Sequence, residues 1–382
     1  MYKNLELKFS VPFAFDVFFG RKLIYDKELL KKIFATPIEG ENKIIFFIED
    51  KVAYLFPDLS MRLSEIFSEH KNNRLAGAPI IMPGSEKNKN MEKALEICSH
   101  LSDSGICRHS FVCSVGGGAF LDTVGFAASI AHRGIRQVRF PSTVVSQCDS
   151  GIGVKNGVNL FGKKNYAGTF YPPYSVVNDF DLIDSLPLRE KIAGAAEAIK
   201  VAIIKDSEFF KKLASNSRNI KSGDPTFYEE MIFRCAQLHS EHIAGSGDPF
   251  EFGSSRPLDF GHWLAHKLES MSGGNIRHGE AVSIGIASDS FLAMKRKLIK
   301  SEEFESIIKL LQDCGLPLWS DLLAKKEKGR LVVLDGLREF REHLGGKLSI
   351  TLPKSIGSKI ETSEIDETLV IDGFKYLRFI AK

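Results

Sequence analysis

The chain has 382 residues, 43% of them apolar and 26% charged, the proportions of an ordinary folded protein that is long for a single core. Its 51 basic and 48 acidic side chains leave a formal charge of only +3, which argues against nucleic acid or a membrane surface as a partner. No apolar run approaches the roughly 18 residues of a membrane span, the start M-Y-K-N-L-E-L-K-F lacks a signal-peptide core, and six scattered cysteines without C-x-x-C read as reduced thiols of a cytoplasmic protein.

The first half alternates short apolar runs with helical patterns, as a parallel sheet with crossover helices does. The run K-I-I-F-F-I-E at 43–49 predicts a buried strand that leaves Glu49 just past a carboxyl end, where open α/β sheets bind ligands. A strand at 80–83 and a helix through about His100 follow. The strand predicted at 111–115 then runs into Gly116, Gly117 and Gly118 and a small-residue helix. That turn would let backbone N–H groups approach a pyrophosphate at a helix N-terminus. It is not G-x-G-x-x-G, and a plain turn needs glycine too, so the residues alone leave both readings open. Asp122, in the first turns, suits a helix cap or a ribose or substrate hydroxyl.

A strand at 138–141 opens the densest polar stretch, 142–170, which sets Lys155, Lys164 and Asn165 among glycines. Ammonium groups on flexible backbone suit a phosphorylated small molecule, and a solvated loop accounts for the composition nearly as well. After a strand at 175–177 the pattern turns helical. The helix predicted from 186 carries Glu197 and Lys200 on an Ala/Ile surface, where a carboxylate is costly unless paired or metal-bound. The expected organisation is a nucleotide-binding α/β domain over 1–182 and an all-α domain over 183–382, helical throughout from 225 to about 344, with a short strand and a helix in the tail.

In the stretch 248–280, His262 and His266 are four apart and share a helix face, and His278 follows a turn at Gly273 and Gly274. Three imidazoles, or two and a carboxylate, form the usual ligand set of catalytic zinc with one position open. Trp263 stands where a zinc protease carries its Glu, so that motif is excluded. A half-buried polar edge explains the histidine pair as well, and the residues alone do not decide.

From about 43 to 352 these motifs together resemble the 3-dehydroquinate synthase superfamily, the sugar phosphate cyclases. The resemblance implies a Rossmann-like domain and a helical domain enclosing NAD, a zinc ion (with cobalt as a substitute) and a sugar phosphate, in a homodimer. The metal ligands it implies are Glu197 in G-A-A-E-A-I-K, His262 in D-F-G-H and His278 in R-H-G-E, leaving His266 for the substrate phosphate. The NAD contacts it implies are Glu49, Glu86, Lys89, Gly116, Gly117, Gly118, Asp122, Ser142 and Thr143. Asp149, Lys155, Lys164, Asn165 and Lys200 would touch substrate, and Arg133 would reach a neighbouring subunit's phosphate site. Counted back from Asp259 without gaps, the Lys and Arg with which dehydroquinate synthases hold the substrate carboxylate become Glu241 and Ser255, and their Asn becomes Asp259. A late Lys is replaced around Arg341 and Glu342, with Lys347 the candidate substitute. R-P-L-D-F-G-H and G-V-K-N-G-V-N are closer to sedoheptulose 7-phosphate cyclases of the 2-epi-5-epi-valiolone and 2-epi-valiolone type, although His266 stands where some of those carry Pro. The expectation is a heptulose 7-phosphate cyclase with Asp259 and Glu241 accepting hydrogen bonds from hydroxyls. Its alternatives are a 3-dehydroquinate synthase with relocated carboxylate contacts and a metal-dependent polyol dehydrogenase.

Overall fold

The computed structural model describes residues 2–35, 41–69, 72–245, 248–250, 258–343 and 348–381. Its N-terminal half is built on seven parallel strands: β1 (Asp16–Gly20), β2 (Asn42–Glu49), β3 (Asn73–Leu75), β4 (Ile80–Met82), β5 (Phe111–Gly116), β6 (Arg136–Pro141) and, after a hairpin of β7 (Lys155–Leu160) and β8 (Lys163–Phe170), β9 (Ser175–Asp179). The order is β1-β9-β6-β5-β2-β3, with β4 pairing the second half of β2. Parallel strands covered on both faces read as unbroken apolar runs, which is why β2 and β5 were legible. Alternate residues of β2 feed two cores: Ile44, Phe46 and Ile48 enter one, Ile45 and Phe47 the other.

Register decides where function can sit. Glu49 pairs with Met82, Ile48 with Val115, and Gly116 with Pro141, so the carboxyl ends of four neighbouring strands lie level. The loops that follow them share one edge of the sheet. Helix α1 (Gly118–Ile130) leaves that edge directly after β5.

Behind the edge stands a helical half made chiefly of α2 (Leu188–Lys205), α3 (Pro225–Gly245), α4 (His262–Ser272), α5 (His278–Lys295) and the late helix α6 (Glu367–Ile380). Val144, Cys148 and Phe180 from the sheet side belong to its core, so the segment after β6 ties the halves together. Two glycines of α5 set its approach. A Cβ on Gly279 would stand 1.7 Å from the carbonyl oxygen of Ala193, and one on Gly285 2.0 Å from that of Gly261.

Several elements differ from the sequence expectation. β1 has no local signature, because its five residues pair, among the described residues, only to β9, over 150 positions away. The polar stretch 142–170 is largely the β7–β8 hairpin rather than a loop. Two-residue strands at Lys326–Glu327 and Arg330–Leu331 interrupt the helical region, and the tail holds a hairpin, Ile350–Ser355 with Ser358–Thr362, where one strand was expected. Among the described residues no helix is long and apolar enough to cross a membrane.

Candidate active site

Glu197 from the middle of α2, His262 at the start of α4 and His278 at the start of α5 bring one ligand atom each within 4.8 Å of one another. Nε2 of His278 lies 3.2 Å and Nε2 of His262 3.8 Å from the same oxygen of Glu197. Ligands about 2.0–2.1 Å from a tetrahedral zinc stand roughly 3.3 Å apart, so the spacing fits such an ion with little adjustment. Orientation fits as well. The Nδ1–H of His262 donates to the carbonyl of Phe260 (3.1 Å), and that of His278 to the carboxylate of Glu269 (3.0 Å), which turns both Nε2 lone pairs inward. Glu197 is fully buried and, among the described residues, neither of its oxygens receives a well-aligned hydrogen bond, although the Lys200 ammonium lies 2.6 Å from one. Burial would raise its pKa, but Lys200, His278 and His262 hold it well below the usual carboxylate range. For His278 burial lowers the pKa, and Glu269 and Glu197 outweigh that and raise it to about 10. Two acids that hold a proton so firmly form an environment for a divalent cation.

A string of charges runs outward from this cluster. Lys200 also reaches Asp149 (3.4 Å), and the other Asp149 oxygen faces Nε2 of His239 at 3.3 Å. Burial lowers the pKa of His239, Asp149 raises it, and Lys200 and Lys155 lower it further. On the other side, Lys164 sits between Glu269 (3.1 Å) and Glu86 (3.5 Å). The His266 ring is 5.4 Å from that of His262 and 6.2 Å from that of His278, and burial, with His262, keeps it neutral.

The level strand ends form the second part of the site. The Gly117 N–H donates to the Glu49 carboxylate (2.7 Å), whose burial raises its pKa. Gly117 is the N-cap of α1 with no side chain capping the helix, so the end of the helix dipole is left to an anion. A Cβ on Gly116 would lie 2.6 Å from the Phe120 ring, and one on Gly118 2.5 Å from Oγ of Ser150, so only glycine permits this close cradle. The Ser142 N–H bonds the Gly116 carbonyl, and Thr143 is locked to Ser146 by reciprocal hydrogen bonds. Lys89, buried, pairs with Asp122 at 2.5 Å, and Asn159 donates to Glu86. Asp122 therefore caps nothing; it neutralises Lys89.

Two family models match adjoining parts of the chain: 3-dehydroquinate synthase N-terminal over residues 79–193 and 3-dehydroquinate synthase C-terminal over 194–335. The 3-dehydroquinate synthase of Alkaliphilus metalliredigens is 32% identical over 93% of this chain and 96% of its own. The chain belongs to the 3-dehydroquinate synthase family. Among solved structures of this superfamily of sugar phosphate cyclases, the 2-epi-5-epi-valiolone synthase of Streptomyces hygroscopicus with NAD+ and Zn2+ bound superposes with a TM-score of 0.86 at 25% identity, covering 98% of this chain and all of that one. A 2-deoxy-scyllo-inosose synthase complexed with carbaglucose-6-phosphate, NAD+ and Co2+ shares the fold at 0.76 and 23%, over 94% and 96% of the two chains.

In this member of the family not every residue expected from the sequence gathers at the centre. Asp259 acts electrostatically on Lys200 and His262, and Lys155, at the start of β7, on His239. Asn165 is exposed on β8 with φ of 51° and donates its N–H to the side chain of Asn159. Arg133 is exposed in a turn, and Glu241 is exposed with its charge acting on Lys205. The placement of Glu241 corrects the sequence reading. Residues two apart on a helix point about 200° apart, and it is His239 that faces Asp149. Residues 246, 247 and 251–257, between Glu241 and Asp259, lie outside the described residues, and Ser255 and Lys347 with them. Sequence reasoning also passed over Glu269, whose only signal was its i, i+3 spacing from His266 on an already polar helix face.

Proposed function

We propose that this protein cyclises a carboxylate-free heptulose 7-phosphate, sedoheptulose 7-phosphate, to a C7 cyclitol with loss of phosphate. The observation that carries the reading is the wall beside Asp149. There α3 presents His239, and the neighbouring ammonium of Lys200 is already shared between Glu197 and Asp149. A substrate carboxylate brought against that wall would meet two acids, whereas sugar hydroxyls find acceptors in Asp149 and Asp259. The overall likeness to a 2-epi-5-epi-valiolone synthase supports the same choice.

Glu197, His262 and His278 would hold zinc, or cobalt in its place, and Glu49, Glu86, Lys89, Gly116, Gly117, Gly118, Asp122, Ser142 and Thr143 would hold NAD. When bound, NAD would take up and return a hydride and zinc would polarise the alcohol being oxidised. The chain's own groups do the rest. Lys200 is held charged between two acids and orients them; Asp149 is kept ionised by His239 and Lys200 and can accept a hydroxyl proton. Lys155, Lys164, Asn165 and the neutral His266 would bind the phosphate and carry its charge as it leaves, and Arg133 would complete that site from a second subunit.

Purified protein given sedoheptulose 7-phosphate is expected to release phosphate without net NADH formation and to yield a cyclitol identifiable by NMR. Turnover of only the carboxylated substrate of 3-dehydroquinate synthases would replace this reading with the second one, whose name relatives at 30–36% identity carry. Stoichiometric NADH would instead indicate a polyol dehydrogenase.

A further inference from the structure

The hairpin of β7 and β8 is irregular at one point. Val158 pairs with Ala167 and Leu160 with Lys163, so Asn159 stands opposite three residues, Lys164, Asn165 and Tyr166. Along the regular part of β8, Ala167 and Thr169 are half-buried while Gly168 and Phe170 are exposed. Continued without a break, that alternation would put Lys164 on the outer face together with Tyr166. The bulge shifts it by one position. Lys164 therefore turns inward, its ammonium 3.1 Å from Glu269 and 3.5 Å from Glu86, while Asn165 and Tyr166 stay exposed. The chain makes this detour through Asn165, whose φ of 51° lies in the left-handed region that asparagine tolerates better than most residues.

One side chain holds the bulge in place. Oδ1 of Asn159 accepts the Asn165 N–H (2.9 Å), standing in for a ladder bond, and its Nδ2 donates to the Glu86 oxygen that Lys164 also approaches (2.8 Å). The backbone N–H of Asn159 donates to the carbonyl of Lys89 (2.8 Å). These partners fix the orientation of the amide, because a carboxylate only accepts and an N–H only donates. An aspartate here would face Glu86 with a second acid, and a leucine would satisfy neither partner. We propose that Asn159 is a positioning residue that aims Lys164 at the substrate phosphate and ties that aim to Glu86 and Lys89 on the cofactor side. It acts by two routes: Oδ1 pins the bulge that carries Lys164, and Nδ2 holds one of the two acids between which the ammonium rests. The inference rests on the reading of Lys164 as a phosphate contact, and not on which sugar phosphate is bound.

The test uses the full-length protein loaded with zinc and NAD, with inorganic phosphate as the probe and its dissociation constant by calorimetry as the readout. Lys164→Met is expected to weaken phosphate at least about tenfold and Asn159→Ala at least about fivefold, with zinc content unchanged in both. In the double variant, Asn159→Ala is expected to add less than about twofold to the loss from Lys164→Met, because residues that act through one another are not additive. An asparagine that only supported the hairpin would add its full factor. Phosphate binding unchanged in Lys164→Met would overturn the phosphate reading and this inference together. Binding weakened by Lys164→Met but unchanged by Asn159→Ala, or a fully additive loss in the double variant, would overturn this inference alone. Should Asn159→Ala fail to fold, amide hydrogen exchange of the wild-type protein read by NMR decides: the Asn165 N–H is expected to be protected, and exchange at the rate of an open amide would overturn the proposal.

Discussion

Glu197 is the side chain whose environment is hardest to explain without an ion, because a buried carboxylate without well-aligned donors is costly. Glu197→Ala, His262→Ala and His278→Ala are each expected to leave the circular dichroism spectrum intact, strip zinc as measured by elemental analysis, and cut turnover on the order of 10³-fold, the several kcal/mol a Lewis acid supplies. Retained zinc would refute the ligand assignment. Asp289 makes a different prediction. It is buried on α5, accepts from the Trp263 indole (2.9 Å) and the Gly261 N–H (3.1 Å), and burial raises its pKa from 3.8 to about 7. Folding therefore retains a proton that the unfolded chain releases near pH 4. The associated stability is complete below that pH and is lost as pH rises through about 7, up to about 4 kcal/mol in all. Asp289→Asn is expected to flatten that part of the stability profile in urea titrations; an unchanged slope would locate it elsewhere.

Elements matter here through how closely they approach. α5 can seat His278 beside His262 only because Gly285 lies against the backbone of Gly261. Gly285→Ala is expected to cost at least about 1–3 kcal/mol by overpacking and to loosen zinc, and denaturant midpoints with metal titrations check both effects. The segment between Asp149 and Lys155 is held by one buried cation. The Arg139 guanidinium donates to the carbonyls of Gly151 (3.1 Å) and Gly153 (2.6 Å) and to the side chains of Asn156 (2.7 Å) and Gln137 (3.0 Å). Burial lowers its pKa to about 10, and its partners are neutral oxygens. Arg139→Met would leave several buried acceptors unpaired, at a cost of more than about 3 kcal/mol. A substrate KM that rises with it would show that the residues at the two ends of the segment had moved, and Arg139→Lys is expected to recover part of the loss. A stability unchanged in Arg139→Met would remove this account.

At the scale of the whole molecule, the sheet edge and the helical half are joined through Val144 and Cys148 in one core, so a ligand at the edge should report on both. Because only the folded chain forms the glycine cradle, NAD at a hundred times its dissociation constant is expected to add about 2.7 kcal/mol of stability. It should shift a single unfolding transition seen by both tryptophan fluorescence and circular dichroism. Two transitions, only one of them moved by NAD, would mean that the halves unfold separately.

The amino-acid order by itself determined what depends on neighbours: the apolar runs that became β2 and β5 and the glycines opening α1, whereas Glu197, His262 and His278 were singled out by their family resemblance. Tertiary structure decided what depends on distant partners. His239 rather than Glu241 meets Asp149 because of the face α3 turns inward, and Glu269 becomes the brace of His278 only once α4 and α5 fold back on each other. β1 exists because β9 offers it a ladder. Periodicity records which face of an element is apolar, but the partner a polar group finds is set by packing between segments far apart in the chain, and no local pattern carries that information.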